Sequence, residues 1–183
     1  MTVEKKELHA TVREGYQILL RAESEYWLPV GRPRICGFYE TMIDTCMKWV
    51  LEIYGERLRQ EFLSLESVRE KSQFRTQRYR MLIHIPWEED GLAVFLCESQ
   101  LTGQWKIPQK AYHRISHVWN LEEESILPPA QILQAFGVKL KREMLPFRPD
   151  GIYPVGEDLI FFRNASDSLP FAEQKLPRNL QVN

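Results

Sequence analysis

The spacing of hydrophobic positions changes along the chain, and each change marks an element. Between residues 6 and 23, Leu8, Ala10 and Val12 alternate with polar neighbours, Arg13-Glu14-Gly15 interrupts, and Tyr16, Ile18 and Leu20 alternate again. Leu8, Val12, Tyr16 and Leu19 also fit helical spacing. The alternation and Gly15 favour two strands of a hairpin. A loop with Pro29, Gly31 and Pro33 follows.

The period then lengthens. Phe38, Met42, Cys46, Trp49, Val50, Ile53, Tyr54, Leu58 and Phe62 recur every three or four residues, with Glu40, Asp44, Lys48, Glu52 and Glu56 on other faces. This predicts an amphipathic helix of about 25 residues within Pro33 to Leu65, whose wide apolar stripe needs a sheet to lie on.

Alternation returns after the polar stretch SVREKSQFRTQ. Tyr79, Met81, Ile83 and Ile85 share one face of a strand, WEEDG forms a turn with Asp90-Gly91 as the hairpin signal, and Leu92 to Glu98 comes back. Lys110 to Asn120 is a third strand, with Tyr112, Arg114, Ser116 and Val118 on one face and His113, Ile115, His117 and Trp119 on the other. Pro129 opens a short helix that Gly137 ends. Residues 152–155 and 159–163 form a last hairpin, and residues 164–183 read as irregular surface coil. The expectation is one α+β domain over 1–183, its core at 6–163: a mainly antiparallel sheet with one long helix packed on one face.

Composition narrows the function classes. The 183 residues carry 24 Lys and Arg against 25 Asp and Glu, so no overall charge points to nucleic acid or to an acidic substrate. The N-terminal stretch is charged throughout, and no apolar run approaches the roughly 20 residues of a membrane helix. A soluble cytoplasmic protein is expected, unless a leader has been removed. The three cysteines, Cys36, Cys46 and Cys97, follow no zinc or CxxC spacing and read as reduced thiols.

The one stretch that resembles chemistry is AYHRISHVWN, residues 111–120. On a helix His113 and His117 would share a face. On a strand they stand roughly 13 Å apart, too far for one zinc ion. No metal site and no cofactor are therefore expected. Cys97 with His84, His113 or His117 is the weak catalytic alternative, since no GxSxG, HExxH, Walker or GxGxxG motif occurs. The acidic runs Glu122-Glu123-Glu124 and Glu88-Glu89-Asp90 sit in predicted turns and read as solvated. Residues 69–80, REKSQFRTQRYR, interleave basic and aromatic side chains. That pattern suits single-stranded nucleic acid, yet it equally suits a solvated face, so nucleic acid is an unfavoured alternative.

Four segments in order, FYETM, YRMLIHIPWEEDGLAVFLCES, SHVWNLEEESILPPAQIL and FRPDGIYPVGEDLIFF, resemble the extracytoplasmic domain of unknown function shared by the anti-sigma factor RsiV and the peptidoglycan deacetylase PdaC. Trp119-Asn120-Leu121 with Ile126-Leu127 and Ile132-Leu133 follows one motif of that family, and Asp158 to Phe162 another. The departures are LTGQWKIPQK in place of a loop with glycine and histidine, and Glu122 to Glu124 in place of a Lys/Gly turn. The resemblance implies a fold and a binding habit. It brings no catalytic residue, because in the deacetylase the chemistry belongs to a separate domain. The functional expectation is a non-enzymatic protein-binding module that meets a protein partner or a second copy of itself, with Trp87, Trp105, Tyr112 and Arg114 at the contact surface.

Overall fold

A computed structural model describes residues 1–103, 111–139, 144–166 and 169–177. The first hairpin is longer than its alternation suggests: β1 is Val3–Glu14 and β2 is Gln17–Pro29, paired antiparallel. Gly15, at φ +55°, makes the turn. The ladder is regular until Val12 pairs with Leu20 and Arg13 with Ile18, which leaves Leu19 as an extra residue on β2.

The helix runs as α1 (Pro33–Lys48), a π-helical segment (Trp49–Tyr54) and α2 (Gly55–Leu63). Ile35, Tyr39, Ile43 and Met47 form the buried row of α1, four residues apart. The wider turns of the π segment absorb the adjacent apolar pairs Trp49-Val50 and Ile53-Tyr54, so that Val50 and Tyr54 stay buried. At Gly55 the helix comes down on β1: a Cβ there would stand 2.7 Å from Val12 Cγ2. A short α3 (Val68–Gln73) follows, its N-terminus capped by a capping box between Ser67 and Glu70.

Next come β3 (Gln77–Glu89), β4 (Leu92–Thr102), β5 (Ala111–Asn120) and the short β6 (Ser125–Ile126). Asp90 and Gly91 both have positive φ, 51° and 76°, as a tight two-residue hairpin turn requires. The strand therefore continues through Pro86 to Glu89, residues assigned from sequence partly to the turn. The six strands are hydrogen-bonded in chain order, β1 to β6. After α4 (Pro129–Ala135), β7 (Gly151–Val155), β8 (Asp158–Arg163) and β9 (Ala172–Pro177) form a second antiparallel sheet. The α+β class, the antiparallel pairing and the long helix are as expected, and two details differ. There are two sheets rather than one, and part of the segment read as coil is a strand: β9 pairs with β8 from Asp158↔Pro177 to Arg163↔Ala172.

The chain divides into two compact units. One holds Thr2–Leu82 and Ser99–Ala111, hence the first hairpin and the helix. The other holds Met1, Ile83–Glu98 and Tyr112–Asn183. In the second unit, Val94 and Leu96 of β4 and Val118 of β5 join Phe136, at the C-terminal cap of α4, and Leu159 and Phe161 of β8 in one apolar cluster. Among the described residues no helix is long and apolar enough to cross a membrane.

Candidate functional site

The densest chemistry lies on the inward face of β5. Strand parity puts Tyr112, Arg114, Ser116 and Val118 together, and the burial of Val118 in the cluster beneath the second sheet makes this face an inner one. An arginine on such a face needs carboxylates and rings to offset its desolvation. Both are present. Arg114 Nε donates to Tyr112 Oη at 2.9 Å and to Glu98 Oε1 at 3.2 Å, and Nη2 donates to the same Glu98 oxygen at 3.1 Å. Nη1 donates to Tyr153 Oη at 3.0 Å and to a Glu173 carboxylate oxygen. The Tyr112 hydroxyl also donates to Glu98. The guanidinium carbon lies 5.0 to 5.9 Å from the centroids of Phe171, Phe162, Tyr112 and Tyr153.

The backbone is held as well. Arg114 N–H donates to Asn164 Oδ1 at 2.7 Å, and Asn164 Nδ2 donates to the Arg114 carbonyl at 2.9 Å, so one side-chain amide takes the place of a neighbouring strand. Asn164 N–H in turn donates to Asp150 at 2.7 Å. Ser116 Oγ donates to the Ile152 carbonyl at 3.1 Å. A Cβ at Gly151 would stand 2.3 Å from the Phe162 ring and 2.9 Å from Ser116 Oγ. Glycine is what lets β7 come this near.

The electrostatics follow from burial and these partners. Burial alone works to lower the Arg114 pKa, but the bond to Glu173 and the bonds and fields of Tyr153 and Tyr112 outweigh it, and the guanidinium stays charged. Burial pushes the hydroxyls of Tyr112 and Tyr153 up to about 12, with the Glu98 carboxylate adding to the effect at Tyr112. His84 lies at the margin, its Nδ1 4.0 Å from Glu98 Oε2 and without a hydrogen-bond partner among the described residues. Desolvation lowers its pKa, the Glu98 carboxylate opposes that, and Arg114 adds to the lowering, so His84 is neutral at pH 7.

All three guanidinium nitrogens are thus engaged within the protein, which leaves no paired donors to grip a ligand's carboxylate or phosphate. The arrangement is a clasp. Of the surface residues expected from sequence, Tyr112 and Arg114 are inside it. Trp87 is half-buried and meets the Phe136 ring at 5.5 Å. Trp105 falls outside the described residues.

The candidate reactive residues divide between the two faces of the sheet, Cys97 and His117 with the parity of Phe95 and Trp119, and His84 beside Glu98. Cys97 is buried and has the parity of Phe95, which packs on Trp119. His84 lies instead beside Glu98, whose parity is that of Leu96 and Val94. His113 is exposed, and His117, on the opposite face of β5 from Arg114, is desolvated until its pKa falls to about 4. Among the described residues no three His, Cys, Asp or Glu side chains are grouped to hold a metal ion. In the basic stretch, Phe74 and Tyr79 are both buried, Phe74 against Phe62 at 5.3 Å, so neither offers a face for a base to stack on.

Sequence reasoning missed Glu98, Tyr153, Asn164 and Glu173. One signal was present: a strand face that carries Val118 at one end and Arg114 in the middle must bring acids to the arginine.

No protein-family model matches the chain, and no curated protein sequence matches it. Among solved structures the chain is similar to a DUF3298 family protein from Pseudomonas aeruginosa PAO1, with 14% identity and a TM-score of 0.59 over 96% of this chain and 90% of that one. It is also similar to a member of the DUF3298 family from Bacteroides fragilis NCTC 9343, with 12% identity and a TM-score of 0.56 over 96% and 90%. At these identities the likeness is one of fold.

Proposed function

We propose that the chain is a non-enzymatic module that binds another protein, and that the flank of its long helix is the contact face. The observation that carries this reading is a row of large apolar side chains left in water. Phe38, Trp49 and Ile53 are 38%, 52% and 62% exposed, although the same helix buries a full apolar row elsewhere. Phe38 and Trp49 lie about three turns apart on one side, and the wider π turn keeps Ile53 near Trp49. An exposed aromatic and aliphatic row is costly in water and is characteristic of contact surfaces. Tyr112 and Arg114, expected as contact residues, are assigned the role of holding β5 to the second sheet. Trp87 is assigned to packing against the cluster beneath the second sheet. The similarity to the RsiV and PdaC domain supports a binding habit by analogy of fold alone.

A Cys/His enzyme is the second reading, and it requires an accessible thiolate. Burial of Cys97 speaks against it. A photocrosslinking residue placed at position 49 in the producing cell tests the binding reading, with position 16, fully exposed on the first hairpin turn, as the control. The expected result is one discrete protein adduct from position 49 that Ile53→Glu abolishes. Equal adducts from both positions, or none from position 49, would overturn it.

A further inference from the structure

The first strand is an open edge that is complementary to itself. Among the described residues β1 pairs on one side only, with β2, and stands at the end of the six-stranded order. It is long, Val3–Glu14, with neither proline nor glycine, and the extra residue of its hairpin sits on β2. Edges of this length are templates for another strand unless their charges oppose it, and here the charges decide the register. Arg59 lies across its far end and donates to the Arg13 carbonyl at 3.4 Å.

We infer that two copies of this chain join edge to edge through β1, antiparallel about a two-fold axis at Ala10. The charges choose this register. With Ala10 opposite its own copy, Lys6 faces the partner's Glu14 and Glu7 faces the partner's Arg13, and symmetry repeats both pairs. Leu8, exposed on β1, faces the partner's Val12. No like charges meet. Sliding by two residues one way sets Lys5 against Arg13 and Glu4 against Glu14. Sliding two the other way opposes no charges at all. A slide by one residue crosses the two faces of the strand, and the faces are fixed: Lys6 bonds Glu40 of α1 at 2.8 Å on the helix side, while Lys5 bonds Glu25 at 3.0 Å on the other. Opposite charges directly across a ladder stabilise it and like charges destabilise it. Arg13 and Glu14 have no ion-pair partner among the described residues, so the register supplies both with one. This inference does not rest on the helix flank.

Sedimentation velocity on the full chain, across protein concentration and at low and 0.5 M salt, reads the association. The expected result is a reversible dimer that weakens with salt. Glu7→Arg alone and Arg13→Glu alone each place like charges opposite and give monomers. Mixing the two single variants restores a dimer, because each then supplies what the other lacks, and the double variant dimerises with itself. Circular dichroism confirms that each variant is folded. A wild-type chain that stays monomeric at several hundred micromolar (on the order of the weakest specific contacts) would overturn the inference. So would a dimer that ignores both substitutions.

Discussion

Arg114 and Lys5 each meet two carboxylates, and the resemblance stops there. Arg114 lies between Glu98 and Glu173 with 13% of its side chain exposed, ringed by four aromatic faces. Lys5 lies between Glu7 and Glu25 at 2.7 and 3.0 Å with 45% exposed, over the face of Trp27. The attraction between charges is similar in kind at the two sites. What differs is the alternative each charge has when its partners are lost. Lys5 returns to water. Glu98 and Glu173 without Arg114 stay where the fold holds them, partly dehydrated and repelling each other. Ion pairs in this molecule therefore matter in proportion to what they would strand.

The sharpest way to break the comparison is Arg114→Ala. The expected loss is about 3–5 kcal/mol, the usual consequence of leaving buried charges uncompensated, read as a drop in the urea midpoint. Arg114→Lys should recover only part of it, because an ammonium cannot bridge Tyr153, Glu173 and Glu98 in one plane. A midpoint within error of the parent would mean that the clasp contributes nothing to folding.

Acid provides the next largest effect, from the other face of the same strand. His117 has a folded pKa of about 4, held down by burial, against about 6.5 in the unfolded chain. The folded pKa is the lower one, so the unfolded state takes the proton first. Stability is complete above pH 6.5 and declines as pH falls towards 4, by at most about 3 kcal/mol. His117→Gln should flatten that slope between pH 6.5 and 4. An unchanged slope would mean that another group carries the acid sensitivity.

These two sites also show what a sequence can reveal. The helix, the Asp90-Gly91 turn and the strand faces were legible because each rests on local periodicity. The division of β5 into two faces followed from alternation alone, but not that the Tyr112 and Arg114 face is the inner one. Arg114's partners were not legible, because Glu98, Tyr153 and Glu173 come from three other strands, and nothing local says which carboxylate will meet which cation. The β9 strand escaped for a related reason. Only Leu176 is buried within it, and an edge strand is held by its ladder to β8 more than by its own apolar pattern. The π segment had a trace, in the neighbouring apolar pairs Trp49-Val50 and Ile53-Tyr54, which one α-helical face cannot hold. The capping residues Ser67 and Glu70 were present at the right spacing inside a stretch read only as polar.

The smallest expected effect is at Lys5, and it sharpens the comparison most. Its contacts are short, at 2.7 and 3.0 Å, and they raise the pKa of Lys5, through hydrogen bonds to Glu7 and Glu25. Short distances alone would mark this as a strong site. Water argues otherwise: the ammonium and both carboxylates are hydrated whether or not they touch, and fixing three long side chains costs entropy that the attraction barely offsets. Lys5→Ala should leave the urea midpoint unchanged within error, and 0.5 M salt should do no more to the parent. If Lys5→Ala instead lowers the midpoint by as much as Arg114→Ala, burial is not what separates the two sites, and contact geometry must carry the difference.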